Sequence, residues 1–93
     1  MLFVALLKAK SGTLAERTAH RAQWQYPAGA RPIGEYWLQS GEIAVVSVFE
    51  ADSFDPIMAI SGEWSDEFDI TIVPAITGED GLKWVKQHMG GNK

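Results

Sequence analysis

The stretch from residue 32 to residue 50 constrains the fold of this chain more than any other. It holds two runs of apolar, aromatic and β-branched residues that meet at Ser40-Gly41, a pattern typical of a β-hairpin. With a two-residue turn centred there, Trp37 would lie opposite Ala44 in the neighbouring strand. One face of the hairpin would then be apolar, while the other would carry Trp37 among carboxylates.

The two faces of this predicted hairpin have different neighbours. The face expected to lie under helices holds Gly34, Tyr36, Leu38, Ile43, Val45, Ser47 and Phe49. The opposite face holds Ile33, Glu35, Trp37, Gln39, Glu42, Ala44, Val46, Val48 and Glu50. In a four-stranded sheet with helices on one side, the second face would expose an apolar patch, and such patches usually mark interfaces. We therefore expect a second copy of the chain to cover it, in a two-fold homodimer.

The other segments complete a β-α-β-β-α-β pattern with a terminal helix. The predicted elements are a strand at 2–7, a helix at about 14–26 with a Thr13 capping box, the hairpin, a helix after Ser53, a strand at 68–76 and a helix at 79–89, then a flexible tail at 90–93. The runs 2–7 and 43–49 are continuously apolar, as in central strands, whereas Pro32 and Pro74 indicate edge strands. The fold class predicted for this single domain is α+β: a ferredoxin-like βαββαβ fold with an antiparallel four-stranded sheet.

Composition excludes several classes of function. An apolar fraction of 46 % with four Trp and four Phe is typical of a globular domain. The net charge of −4 argues against nucleic acid and anionic membranes as partners, because both bind clustered Lys and Arg. Without cysteine and with its two histidines far apart in sequence, the chain is expected to hold no metal and no cofactor. Its start does not resemble a signal peptide and no run is long enough to span a bilayer, so we expect a cytoplasmic location.

Several short motifs resemble those of a known family. They are the opening Met1-Leu-Phe-Val4, the helix with Arg17 and Trp24, the Gly34-x-x-Trp37 strand, the Glu50-Ala-Asp52 turn, Trp64 with the stretch 66–68, and the pair Val73-Pro74. Together they resemble a family of small bacterial and archaeal domains of unknown function in the dimeric α/β-barrel, ferredoxin-like superfamily. The resemblance implies the fold and a homodimer but supplies no catalytic residues. Better-known relatives include cofactor-free monooxygenases and muconolactone isomerases, and none of their active-site signatures can be matched to this chain.

Glu50 and two tryptophans are candidate site residues near the hairpin. Glu50 beside Trp37 could have a raised pKa and act as a general base, or it could simply bond to the backbone at a strand end. Trp37 and Trp64 could line a pocket for a flat ligand, or pack in the core or a dimer interface.

The first predicted helix offers a second set of candidates. Its Ala15, Ala19, Ala22 and Tyr26 fall on one stripe, which is expected to face the sheet. The opposite stripe, with Arg17, His20, Arg21 and Trp24, would then point outward. It could anchor a partner, or another element could cover it. His20 could be a general base or a haem ligand, or an ordinary surface histidine.

Three functions remain open from the sequence alone. The first is a small-molecule-binding protein that holds an apolar or aromatic ligand between sheet and helices near Trp37 and Glu50. The second is a cofactor-free monooxygenase or isomerase, in which Glu50 or His20 abstracts a proton. The third is a regulatory interaction module that works through the Arg17, Arg21 and Trp24 stripe.

Overall fold

The computed structural model describes residues 1–90 of the chain, with strands and helices alternating as β-α-β-β-α-β-α. The elements are β1 (Leu2–Ala9), α1 (Leu14–Gln23), β2 (Ala30–Trp37), β3 (Val45–Ala51), α2 (Phe54–Trp64), β4 (Phe68–Ala75) and α3 (Gly78–Val85), followed by a π-helical turn (Lys86–Gly90). This is a ferredoxin-like α+β fold, as predicted. Of the predicted tail, residues 91–93 lie outside the described residues.

The four strands form one antiparallel sheet in the order β2-β3-β1-β4. The continuously apolar strands β1 and β3 are central, and the proline-marked strands are the two edges. Pro74 pairs with Phe3 in the outer ladder, where its missing N–H removes no bond to a further strand. The predicted strand order is therefore confirmed.

The buried core lies between the helix-facing side of the sheet and α2. It consists of Ala5, Leu7, Phe49, Ala51, Ile60, Trp64 and Phe68. Phe49 is completely buried and stacks on Phe3, with the ring centroids 5.8 Å apart. Helix α2 packs directly on β3 and β4, which fixes the position of Trp64 in the core.

The register of the β2–β3 hairpin changes by one residue at a β-bulge between Pro32 and Gly34, and from Gly34 to Trp37 it differs from the predicted one. Trp37 pairs with Val45 rather than with Ala44, and residues 38–44 form a longer connection than the predicted two-residue turn. Because side chains alternate, this shift exchanges the two faces of β2 from Gly34 to Trp37. Glu35 and Trp37 therefore lie on the helix-facing side, and Tyr36 lies on the open side; the predicted faces were wrong for this part of β2 and right for β3.

Helix α1 begins as predicted but is rotated relative to the expectation. Thr13 and Glu16 form the predicted capping box, and the helix ends at Gln23, three residues earlier than expected, because Trp24 adopts an extended backbone. The alanine side of α1 is exposed, so the prediction that it faces the sheet was wrong, and Tyr26, predicted on the same stripe, lies beyond the end of the helix and is half-buried. The side with Arg17, His20, Arg21 and Trp24 faces inward instead, and these long side chains hold the helix backbone away from the sheet.

The C-terminal part of the described chain projects from the rest of the domain. Within residues 1–90, α3 makes its main contacts with the π-helical turn that follows it rather than with the sheet or the other helices. Its apolar side chains are exposed, with Leu82 and Met89 each at 65 % and Trp84 at 50 %. This projection contributes to a longest dimension of 54 Å. No helix among the described residues is long and apolar enough to cross a membrane.

Candidate functional site

A cleft of about 460 Å³ separates α1 from the helix-facing side of the sheet, and we call it the α1 cleft. Its floor includes the small side chains of Ala5, Ala44 and Ser47 beside Leu7 and Val45. Its walls include three indoles, Trp24, Trp37 and Trp64. The volume is in the range of about 300–1,000 Å³ that is usual for small-molecule sites. This space stays unfilled because several side chains on the sheet side are small and because the backbone of α1 stands away from the sheet.

A network of hydrogen bonds crosses one side of the α1 cleft and is centred on Glu35 of β2. Arg21 of α1 donates to both carboxylate oxygens of Glu35, from Nε at 3.1 Å and from Nη2 at 3.0 Å. The Tyr26 hydroxyl donates to Glu35 at 3.0 Å, and the Trp37 indole N–H donates at 2.8 Å. Ser47 extends the network through its hydroxyl, 2.7 Å from that of Tyr26. The network ties α1, β2 and β3 together.

These contacts set the protonation state of Glu35. Burial alone would raise the pKa of this carboxyl, but the hydrogen bonds from Arg21, Trp37 and Tyr26 outweigh burial and hold the pKa below its ordinary value. Glu35 is therefore ionised at neutral pH, with its oxygens already occupied by donors. Burial likewise raises the pKa of the Tyr26 hydroxyl, which stays protonated and can donate.

Arg17 lies at another part of the cleft lining, in the second turn of α1. Its Nη1 donates to the carbonyls of Ser11 and Gly12, at 2.9 and 2.7 Å, in the loop between β1 and α1. Gly12 has a φ of +79°, so this loop turns through a conformation that favours glycine. The Arg17 guanidinium also lies 5.7 Å from the ring centre of Phe68, a cation–π distance.

His20 clamps α1 to α2 and lies outside the α1 cleft. Its Nε2 is 2.5 Å from a carboxylate oxygen of Glu63, and its Nδ1 contacts the carboxylate of Glu67. The imidazole stacks on Trp64 with the ring centres 3.8 Å apart. The hydrogen bonds to Glu63 and Glu67 raise the pKa of His20, so the imidazolium is favoured. A charged histidine between two carboxylates is suited to joining helices and is poorly suited to taking up a proton.

Glu50 lies on the open face of the sheet and not beside Trp37. Its carboxylate is 3.2 Å from the N-terminal amine of Met1 and 3.9 Å from Arg31. The prediction that Glu50 and Trp37 share a face was wrong, because the shifted register moves Trp37 to the helix side. The indole that was expected beside Glu50 therefore lies on the other face of the sheet.

The structure thus brings together some of the sequence-derived candidates and separates others. Those that line the α1 cleft are Trp37, Trp64, Arg17, Arg21 and Trp24. His20 and Glu50 do not line it. The outward orientation predicted for the Arg17, Arg21 and Trp24 stripe was wrong, since all three face the sheet.

Sequence reasoning missed the centre of the network. The predicted hairpin faces place Glu35 on the open side of the sheet, and the sequence pattern does not identify Tyr26 or Ser47 as its partners. The signal that could have identified this contact is charge pairing. A half-buried carboxylate needs a cationic partner, and Arg21 on α1 could supply one for Glu35. Among residues 1–90, no group of three or more His, Asp or Glu side chains is arranged to hold a metal ion.

Comparison with known proteins gives a family and no function. No curated protein and no solved structure matches the chain. A protein-family model described as "Domain of unknown function (DUF3303)" matches residues 1–89, nearly the whole chain. The chain therefore belongs to the DUF3303 family of domains of unknown function.

Proposed function

We propose that this protein binds a small apolar or aromatic molecule in the α1 cleft and that it works as a homodimer. The observation that carries the binding proposal is an unfilled cleft whose lining combines three indoles, several small residues and a fixed polar network. Pockets for small molecules typically combine apolar and aromatic walls with a few placed polar groups. The cytoplasmic location expected from the sequence stays a prediction.

Trp37 supports binding over simple core packing. Its side chain is 52 % exposed although its indole N–H is held by Glu35. A tryptophan that serves only as core would be expected to bury its rings. Here the ring is fixed by a hydrogen bond and partly uncovered, so a flat ligand in the cleft could cover it. That burial would contribute about 25 cal/mol per Å² of apolar surface.

Among residues 1–90, the lining of the α1 cleft offers the enzyme alternative no suitable base. Glu35 is the carboxylate that lines it, and donors from three side chains lower its pKa and occupy its oxygens. A general base works best with a pKa near the operating pH, and His20 and Glu50 lie elsewhere. The interaction-module alternative also loses support, since Arg21 and Trp24 pack against Glu35 and Trp64 rather than outward.

A cleft-filling substitution tests the binding proposal. Ala44→Phe places a ring on the floor of the α1 cleft, and Ala19→Phe, on the exposed side of α1, is the matched control. We expect naphthol or naphthoate to raise the Tm of the wild type and of Ala19→Phe with dose dependence, as ligands of the native state do. Ala44→Phe should abolish this shift. A flat response of the wild type to both probes at millimolar concentration would contradict the proposal.

The homodimer proposal rests on the open face of the sheet. The apolar side chains on that face are Leu2, Val4, Leu6, Val46, Val48 and Val73. They form a continuous surface across β3, β1 and β4 that no element of residues 1–90 covers. A stable interface needs about 800 Å² per partner, and the exposed apolar side of α3 can add to the area supplied by the sheet.

Sedimentation of a charge variant tests the dimer. Val48→Lys puts a cation near the centre of the open face, opposite Val4, and Ala22→Lys on exposed α1 is the control. The wild type and Ala22→Lys should sediment as dimers at low micromolar concentration, while Val48→Lys should be a folded monomer or unfold on dissociation. A wild type that is well folded and monomeric would exclude the dimer.

A further inference from the structure

We infer that the ligand of the α1 cleft is an aromatic monoanion, an aryl carboxylate, whose carboxylate pairs with Arg17; this rests on the proposed function and names its ligand class. The inference starts from charge. The charged residues that line the cleft are Arg17, Arg21 and Glu35, so the lining carries a net charge of +1, whereas the whole chain carries −4. A positive cleft in an acidic protein favours an anionic occupant.

The uncompensated charge in the lining is that of Arg17. Arg21 and Glu35 neutralise each other through three N–H···O contacts. Within residues 1–90, no carboxylate lies within 4.0 Å of the Arg17 guanidinium, whose Nη1 is used by two backbone carbonyls. Its Nε and Nη2 make no hydrogen bond to the described residues. Two adjacent guanidinium nitrogens are the donors that bind a carboxylate in a bidentate manner.

Arg17 is held in place before any ligand binds. The two carbonyls of the β1–α1 loop hold one edge of the guanidinium, and the ring of Phe68 lies 5.7 Å away. A fixed arginine loses less side-chain entropy when it binds an anion than a free surface arginine does. The positive charge also lies at the margin of an apolar space, where its attraction for an anion is screened less than in open water.

Aromatic walls beside the cation favour an aryl carboxylate over other anions. Phe68 contacts Arg17 and packs edge-on against Trp64 at 5.8 Å, so the aromatic part of the core, in which each of these rings is 5 % exposed, borders the cleft next to the guanidinium. Trp37 provides a further, half-exposed indole in the same lining. A ring that carries one carboxylate matches a cation adjoining an aromatic wall. A dianion such as a phosphate ester would meet a single uncompensated arginine, because Arg21 in the same lining is already paired with Glu35.

Calorimetric titration with three probes tests charge and aromaticity separately. The probes are naphthoate, its neutral isostere naphthamide, and decanoate. The proteins are the wild type, Arg17→Gln, Arg17→Lys and, as a matched control outside the cleft, Arg31→Gln. Circular dichroism melts verify that each variant is folded.

The wild type should bind naphthoate at least about tenfold more tightly than naphthamide or decanoate. Arg17→Gln should weaken naphthoate about 10- to 100-fold, the effect of one charge-assisted contact, and leave naphthamide unchanged within about twofold. Arg17→Lys should be intermediate, and Arg31→Gln should match the wild type.

Each alternative result has a distinct meaning. Equal binding of naphthoate and naphthamide to the wild type would overturn the anion inference while leaving the proposed function intact. Decanoate binding as tightly as naphthoate would overturn the aromatic assignment. A preference for naphthoate that survives in Arg17→Gln would overturn the role of Arg17. Binding of none of the probes would count against the proposed function itself.

Discussion

Replacing Glu35 by glutamine is expected to destabilise the protein by about 2–3 kcal/mol at neutral pH. The substitution keeps the shape of the side chain but turns one accepting oxygen into an NH₂ donor. That donor would face Arg21 Nε or the Trp37 indole N–H, both of which now donate to the carboxylate. The charge of Arg21 would lose its partner at the same time.

The magnitude follows from the contacts and their exposure. Breaking one partner of a fully buried ion pair costs about 3–5 kcal/mol, and an exposed pair contributes about 0–1 kcal/mol. The Glu35 and Arg21 side chains are 20 % and 33 % exposed, so the pair lies between these limits and nearer the buried one. For a domain of this size, a loss of 2–3 kcal/mol corresponds to a Tm lower by roughly 10–20 °C.

The same carboxylate predicts a dependence of stability on acid pH. The pKa of Glu35 is lower in the folded protein than its ordinary value of 4.5. A depressed folded pKa gives stability that is present above the unfolded pKa and is lost as the pH falls through the folded pKa. The wild type should therefore lose stability below about pH 4.5, and Glu35→Gln should lack this contribution.

Urea unfolding followed by tryptophan fluorescence measures both effects. Glu42→Gln is the matched control, because the Glu42 side chain is 86 % exposed and its only ion-pair contact in residues 1–90 is Lys8 at 4.0 Å. Its unfolding free energy should stay within about 0.5 kcal/mol of the wild type. A double-mutant cycle with Arg21→Gln isolates the pair. A loss below about 0.5 kcal/mol in Glu35→Gln, with an unchanged acid profile, would refute the reasoning.

Two further predictions concern α1. The hydrogen bonds to Glu63 and Glu67 raise the pKa of His20 above 6.5, so its stabilisation is complete below pH 6.5 and is lost as the pH rises through the folded pKa. The Tm of His20→Gln should therefore decrease less than that of the wild type as the pH rises above 6.5. An equal decrease in both proteins would contradict the proposal that charged His20 stabilises the contact between α1 and α2. Thr13→Ala removes the hydroxyl that accepts from the Glu16 N–H at 3.1 Å and should lower the unfolding free energy by about 0.5–2 kcal/mol. An unchanged urea midpoint would show that this cap contributes no stability.

Strand order was predictable because it depends on backbone chemistry. Proline lacks an N–H, so Pro32 and Pro74 could be assigned to edge strands without any knowledge of tertiary contacts. The capping box at Thr13 is equally local, because both of its hydrogen bonds join residues three apart. Features that depend on a few neighbouring residues were therefore accessible from the sequence.

The faces of β2 were less accessible because the register depends on the loop. A two-residue turn at Ser40-Gly41 would give β2 a single register, whereas the structure has a connection at residues 38–44 and a β-bulge between Pro32 and Gly34. One residue of difference moves Glu35 and Trp37 to the opposite side of the sheet. The pattern within β2 did not resolve the ambiguity, since Tyr36 and Trp37 are both aromatic and either is plausible on an apolar face.

The wrong register of β2 and the wrong rotation of α1 have one physical cause. Considered without its partner, each of Arg21 and Glu35 is predicted to be exposed to solvent, because burying an isolated charge is costly. Turning only α1 inward would bury Arg21 without a partner, and shifting only β2 would do the same to Glu35. Both changes together form the ion pair, which offsets much of the desolvation.

The α1 cleft is a consequence of that pair. An α1 that faced the sheet with Ala15, Ala19 and Ala22 would pack closely on it and leave little space. With Arg21 and its neighbours inward, the helix stands off the sheet and the cleft opens beneath it. The Arg21–Glu35 pair therefore positions the helix that forms the roof of the proposed ligand site, which makes Glu35→Gln a test of the cleft as well as of stability.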